Sequence, residues 1–188
     1  MKRLILFRHG ETDSNLKGIW QCSDDIPLND NGIAQAEFLG RNFPVAGCNG
    51  IFSSEMSRAI ETAKIASRLS GISYLGTYPG FGERNCGEIS GLDYFQIEEK
   101  FGIQLRSILS KDVDRIPGSE KYDSFTRRVR NSVNALFNRS DLDVAGIVTH
   151  GGVTAYVHQW VTGTNELKRL PNCGMLILER KNGELLEV

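Results

Sequence analysis

Leu4-Ile5-Leu6-Phe7-Arg8-His9-Gly10-Glu11-Thr12 runs four apolar residues straight into an Arg, a His and a Gly. A continuous apolar run of this length reads as a strand buried on both faces. Its C-terminal end delivers Arg8 and His9 together, to the sheet edge where ligands bind in open α/β folds. A cation beside an imidazole, with a glycine that lets backbone approach closely, suits an anionic substrate and a nitrogen nucleophile. The same arrangement recurs far downstream. The apolar run 144–148 leads into Thr149-His150-Gly151-Gly152. The chain has three histidines, and two of them stand at such strand ends. The matched contexts make a chance origin hard to sustain.

Outward from these two strands, strand and helix patterns alternate. The apolar pattern predicts strands over 4–7, 50–53, 72–75, 144–149, 175–178 and 185–186. Asn29 is placed to cap a helix over 30–42. Ser54 or Ser57 is placed to cap a helix to about residue 69. A short helix is expected near 93–100. Ser119 is expected to cap a strong helix in which Tyr122, Phe125, Val129, Val133, Leu136 and Phe137 recur at three and four. A last helix follows over 152–161, and Asn182-Gly183 marks a hairpin turn. Residues 14–28 read as a loop over the strand end. The fold class is α/β, a three-layer α/β/α sandwich around a mixed, mostly parallel sheet of about six strands. No linker or repeat divides the chain, so one domain over 1–188 is expected. The long irregular stretch 78–118 is either an active-site cover or a mobile loop.

Composition narrows the function. A chain of 188 residues with 40% apolar and 24% charged content is ordinary for a globular protein with a real core. The formal net charge of −1 offers no global field for nucleic acid or an anionic membrane. Any attraction to phosphate must be local. Cys22, Cys48, Cys86 and Cys173 have no metal or CxxC spacing. Met1-Lys2-Arg3 mimics the start of a signal peptide, but the following apolar run is too short. Four reduced thiols in the cytoplasm are expected. No stretch approaches a membrane span.

The two histidine motifs belong to an ordered set. Asn15, Gln21, Asp25, Pro27-Leu28, Gly32 and Gln35-Ala36 follow the first motif. Then come Ser53-Ser54, Arg58-Ala59 and Thr62-Ala63, then Glu83, Gly87-Glu88 and Gly91, then Pro117-Gly118-Ser119-Glu120. This set resembles the histidine phosphatase superfamily, the phosphoglycerate-mutase-like proteins, over nearly the whole chain. The chain departs from the family at Ile19, where an Arg is common, and at Cys22, where a Gly is common. Glu61 replaces a usual Gln, and Ser90 a frequent acidic residue. None of these removes a core catalytic group, but together they alter the rim.

The resemblance implies a histidine acid-type phosphatase, and the residue types can carry that chemistry. Phosphoryl transfer needs an in-line nucleophile and positive charge around the equatorial oxygens. His9 can attack through one ring nitrogen if the other is fixed by a backbone carbonyl. Arg8 and Arg58 can fork onto phosphate oxygens, and His150 and Gly151 can add donors. Glu83 can protonate the leaving oxygen and then deprotonate water, which requires a proton on it near neutral pH. Asn15 and Gln21 can supply hydrogen bonds at the rim. Glu11, Thr12, Glu120 and His158 read as structural. Trp20 reads equally as a substrate stack or as packing. No metal and no cofactor are required. The expected partner is a small phosphomonoester such as α-ribazole phosphate or a sugar phosphate, and specificity should lie in 78–118 and 17–26.

Two other readings compete. A phosphoglycerate mutase shares the first chemical step. The mutases that the chain resembles carry a Lys soon after the glycine matching Gly91, and an adjacent Arg pair. Here Leu92-Asp93-Tyr94 follows Gly91, and Arg84, Arg106 and Arg115 are separated. A non-catalytic phosphate-binding module would have no need of a nucleophile.

Overall fold

A computed structural model describes residues 1–43, 47–104 and 107–188. The opening apolar run forms β1 (Arg3–Arg8), whose four central residues are almost wholly buried. Two further strands are β2 (Gly50–Ser53) and β3 (Tyr74–Thr77). The C-terminal strands are β4 (Val144–Thr149), β5 (Met175–Lys181) and β6 (Glu184–Glu187). The sheet order is β3-β2-β4-β1-β5-β6. The first four neighbours pair in parallel, and β5 and β6 attach antiparallel. Arg8 and Thr149 are register partners at the ends of β1 and β4, so the next residues, His9 and His150, emerge side by side.

Alternation along β1 separates the two faces. Leu4 and Leu6 join one cluster with Phe125, Val129, Val153 and Tyr156, under helices α5 (Tyr122–Phe137) and α6 (Gly151–Thr162). Ile5 and Phe7 join the other with Leu39, Ala59, Ala63 and Ala66, under α2 (Asp30–Arg41) and α3 (Ser57–Ser70). The three layers and the mostly parallel six-stranded sheet agree with the sequence expectation. Among the described residues no helix is long and apolar enough to cross a membrane.

Several boundaries differ from expectation, each for a local reason. The loop over β1 contains one short helix, α1 (Asp13–Leu16), closed by a capping box between Thr12 and Asn15. β3 starts two residues late because α3 ends on left-handed Gly71; Ile72 and Ser73 bring the chain back to the sheet, where the Ser73 carbonyl accepts the Ile51 N–H. Neither Ser54 nor Ser57 caps α3. Met56 holds that position, and Asp25 Oδ1 accepts the Ser57 N–H at 2.7 Å from the preceding loop. Ser119 does not cap α5 either. Its hydroxyl donates to the Val113 carbonyl, and Asp114 Oδ1 accepts the Tyr122 N–H at 2.7 Å.

The described residues of 78–118 include α4 (Tyr94–Phe101), close to the expected 93–100, with 3-10 turns at Gly87–Ile89 and Lys111–Arg115. Ile89, Ile97, Ile103, Ile108, Val113 and Ile116 form a third buried cluster with Cys22 and Cys86. Trp20 donates its N–H to the Leu92 carbonyl and accepts from Gly91, which stitches this segment to the loop after α1.

Candidate active site

The site begins with a nitrogen whose tautomer is fixed. His9 Nδ1 lies 2.6 Å from the Gly10 carbonyl. A carbonyl only accepts, so Nδ1 carries the proton and Nε2 keeps its lone pair. Arg58 Nε donates to that Nε2 at 3.2 Å. Burial, aided by Arg58, lowers the His9 pKa to about 3. The imidazole is therefore neutral through the ordinary pH range.

α3 brings Arg58 to this point, and the side chain is almost fully buried. Its remaining nitrogens donate to the carbonyls of Asp24 at 2.7 Å and Cys22 at 3.0 Å. Thr62, one turn on, donates to the Arg58 carbonyl and accepts from the Gly10 N–H at 3.0 Å. That hydroxyl ties the backbone after His9 to the helix carrying Arg58. Arg8 Nη1 donates to the Leu170 carbonyl at 2.7 Å, while its buried Nε has no partner. Burial lowers the pKa of both arginines, and the charge of Glu83 opposes this in each. Both guanidiniums stay cationic.

His150 caps the start of α6 by position, with no side-chain cap bond. Its ring centre lies 5.3 Å from that of His9. Ser54 Oγ meets its Nε2 at 2.7 Å, and the buried Nδ1 has no partner. Burial, then Arg58, holds the His150 pKa well below the usual histidine value.

Glu83 is gripped through its backbone and its carboxylate. Oε2 accepts the Gly152 N–H at 2.8 Å and Oε1 the Arg84 N–H at 2.9 Å. Arg128, on α5, donates to the carbonyls of Gly80, Gly82 and Glu83 while paired twice with Glu120. A Cβ at Gly152 would stand 2.3 Å from Glu83 Oε1, so any larger residue there would displace the carboxylate.

Arg8, His9, Arg58, Glu83 and Gly151 line one cavity of about 220 Å³ with Asn15 and Gln21. His150 stands against His9 rather than among the lining residues. Asn15 Oδ1 is occupied by Thr12 N–H and Asn172 Nδ2. Gln21 Oε1 is buried without a partner. Cys22 and Cys86 line the cavity too, and contact with Cys22, then burial, pushes the Cys86 thiol well up. Glu11 accepts from Asn29 and Asn31 and organises the loop. His158 pairs with Glu187 away from the cavity lining. Arg84 is spent on Asp114, Ser110 and Glu120, and Arg115 on the Phe101 carbonyl. Arg106 lies outside the described residues. Among the described residues no three His, Cys, Asp or Glu side chains are grouped as a metal would need.

Sequence reasoning missed five contributors. Ser54 and Thr62 lay inside a motif already noticed, so their positions carried a signal. Asn172, which donates to the His9 carbonyl at 3.0 Å, sits in an unremarkable turn. Arg128 stands on α5 with no motif around it. Arg169 lines the cavity from a segment with no pattern.

Neutral imidazole and guanidiniums converging at the C-terminal ends of adjacent parallel strands define an anion-handling α/β enzyme. The chain belongs to the histidine phosphatase superfamily (branch 1), whose family model matches residues 4–187. It is 27% identical over 186 residues to a metal-independent phosphoserine phosphatase of Arabidopsis thaliana, covering 95% of this chain and 76% of the relative. It is 29% identical over 135 residues to a 2,3-bisphosphoglycerate-dependent phosphoglycerate mutase of Cytophaga hutchinsonii, covering 69% and 62%. Bacillus stearothermophilus YhfR superposes with a TM-score of 0.86 at 23% identity, over 100% of this chain and 96% of that one. The chain is thus a phosphatase of this superfamily with mutase-like relatives.

Proposed function

We propose that the protein is a metal-independent phosphomonoester hydrolase that works through phosphohistidine on His9. The observation that carries this is the fixed tautomer, which leaves Nε2 unprotonated, its lone pair facing Arg58 inside a cationic cavity. In the first step His9 Nε2 attacks phosphorus and the ester P–O bond breaks. Glu83 gives its proton to the departing oxygen. Arg8 and Arg58 neutralise the equatorial oxygens, with Arg58 Nε passing from the imidazole to the phosphoryl group. With Ser54 Oγ–H donating to His150 Nε2, His150 carries its proton on Nδ1 and adds a neutral donor. Gly151, at the start of α6, Asn15 and Gln21 complete the cradle. In the second step Glu83 takes a proton from water, water attacks phosphorus, and the P–N bond breaks to release phosphate.

Hydrolysis is favoured over mutation because the covering segment offers no free clamp among the described residues. The segment's described cations, Arg84, Lys100, Lys111 and Arg115, are already engaged. Candidate substrates are small phosphorylated metabolites, with phosphoserine joining α-ribazole phosphate and sugar phosphates through the relative named above. The test is an alkaline quench with labelled substrate. Label should be trapped on His9, and His9→Ala should abolish both trapping and turnover. With 3-phosphoglycerate, inorganic phosphate or no reaction should appear. Rapid isomerisation with little phosphate release would instead make the protein a mutase, and label on Ser or Cys would refute the nucleophile.

A further inference from the structure

Arg169 is the one cation of the cavity lining whose guanidinium has no hydrogen bond or ion pair among the described residues. Arg58 is committed to His9 and two carbonyls, Arg84 to Asp114, and Arg8 to Leu170. Even the neighbouring Lys168 is paired, with Glu187. Arg169 instead lies over the Trp20 ring, 5.4 Å from its centre. The backbone that carries the ring is anchored, with Trp20 hydrogen-bonded to both Gly91 and Leu92. Stacking on an aromatic face holds the guanidinium plane while leaving its edge open to a ligand.

The placement also fixes a distance relation. Arg8 Nη1 grips the Leu170 carbonyl, the residue next to Arg169. The two cations are close enough that Arg169 weakens the hold of Arg8 on its proton. Glu83 is the one carboxylate among the described lining residues, and Arg58 also has the charges of Asp25 and Asp24 beside it. Arg169 has no acidic side chain paired with it among the described residues. A second negative group a few atoms from phosphorus would supply that partner. A planar, stacked guanidinium matches a carboxylate edge-on, with two parallel N–H bonds.

We infer that Arg169, backed by Trp20, binds a substrate carboxylate close to the phosphoester, and so selects carboxylate-bearing phosphomonoesters. The inference rests on the reading of the His9 cavity as the phosphate site. It places the specificity contact in the segment after α6, not in the covering segment where sequence reasoning sought a clamp.

The experiment compares two ligands that share one phosphate and one carbon skeleton. 3-Phosphoglycerate ends in a carboxylate, and glycerol 3-phosphate in a hydroxymethyl group. Binding of each to the His9→Ala protein is measured by calorimetry at low ionic strength, with and without Arg169→Met. The His9→Ala protein should prefer 3-phosphoglycerate by about fivefold or more, the size of a partly exposed bidentate contact. Arg169→Met should erase that preference while glycerol 3-phosphate binds as before, which also shows that the variant is folded. Arg169→Lys should keep part of it, as a point charge without the fork. Equal affinity for the two ligands, or a preference that survives Arg169→Met, overturns the inference and leaves the phosphate site standing. Failure of both ligands to bind overturns the phosphate site and the inference together.

Discussion

Glu83 is asked to do two jobs, and a single substitution separates them. Its two carboxylate oxygens separately accept the N–H groups of Gly152 and Arg84, so Glu83→Gln should keep one of these bonds while losing the acid proton. Transfer to His9 should slow by about 100-fold or more for alkyl phosphates, the usual range for a positioned acid. An aryl phosphate with a good leaving group should suffer much less at that step. Water attack loses its base with either substrate, so phosphohistidine should accumulate after alkaline quench. Equal slowing of both substrates with no trapped label would deny Glu83 the role. His9, Arg8 and His150 were legible in sequence because each follows a strand whose apolar run is unbroken. Arg58 and Glu83 were legible only through the resemblance, since an Arg among carboxylates on a helix and a Glu in a loop usually mean surface. Arg169 had neither signal.

The helices of the site are pinned by carboxylates outside their adjacent residues, 32 and 8 positions upstream. Asp25 receives the first N–H of α3, and Asp114 that of α5. Local reading assigned both ends to nearby serines because a cap is normally sought within the adjacent residues. Long-range caps leave no local pattern, so the helices were legible and their starts were not. The covering segment was illegible for a related reason. Its buried isoleucines at 89, 97, 103, 108 and 116 follow neither a helical nor a strand period. At α6 the packing makes a sharper prediction. In Gly152→Ala the new methyl would press on the Glu83 carboxylate. Alanine suits a helix better than glycine by roughly 0.5–1 kcal/mol. Turnover should therefore fall by about tenfold or more, while thermal stability stays level or rises. A proportional loss of stability and activity would show that Gly152 matters for folding instead.

For the molecule as a whole, burying two neutral histidines links stability to pH. The His9 pKa falls from 6.5 to about 3 on folding, and that of His150 falls in the same direction. Below 6.5 the unfolded chain takes up protons that the folded rings refuse. Stability is thus fully present above 6.5 and is lost as pH drops toward 3. The His9 ring contributes up to about 1.4 kcal/mol per pH unit in that window, and His150 acts in the same direction. Urea midpoints should fall steeply between pH 6.5 and 5, and His9→Asn should flatten the slope. An unchanged midpoint over that range would mean that the rings titrate freely. The strand order has a consequence for how the chain is made. β1 leaves the ribosome well before both its neighbours, β4 and β5, which come from beyond residue 143. This buried strand must wait, unpaired along both edges, until β4 has been made. His9 likewise exists without His150 beside it until then. A ribosome-stalled chain ending before β4 should be held by chaperones and form no phosphohistidine, so the chemistry of His9 cannot begin until the second histidine motif has been synthesised.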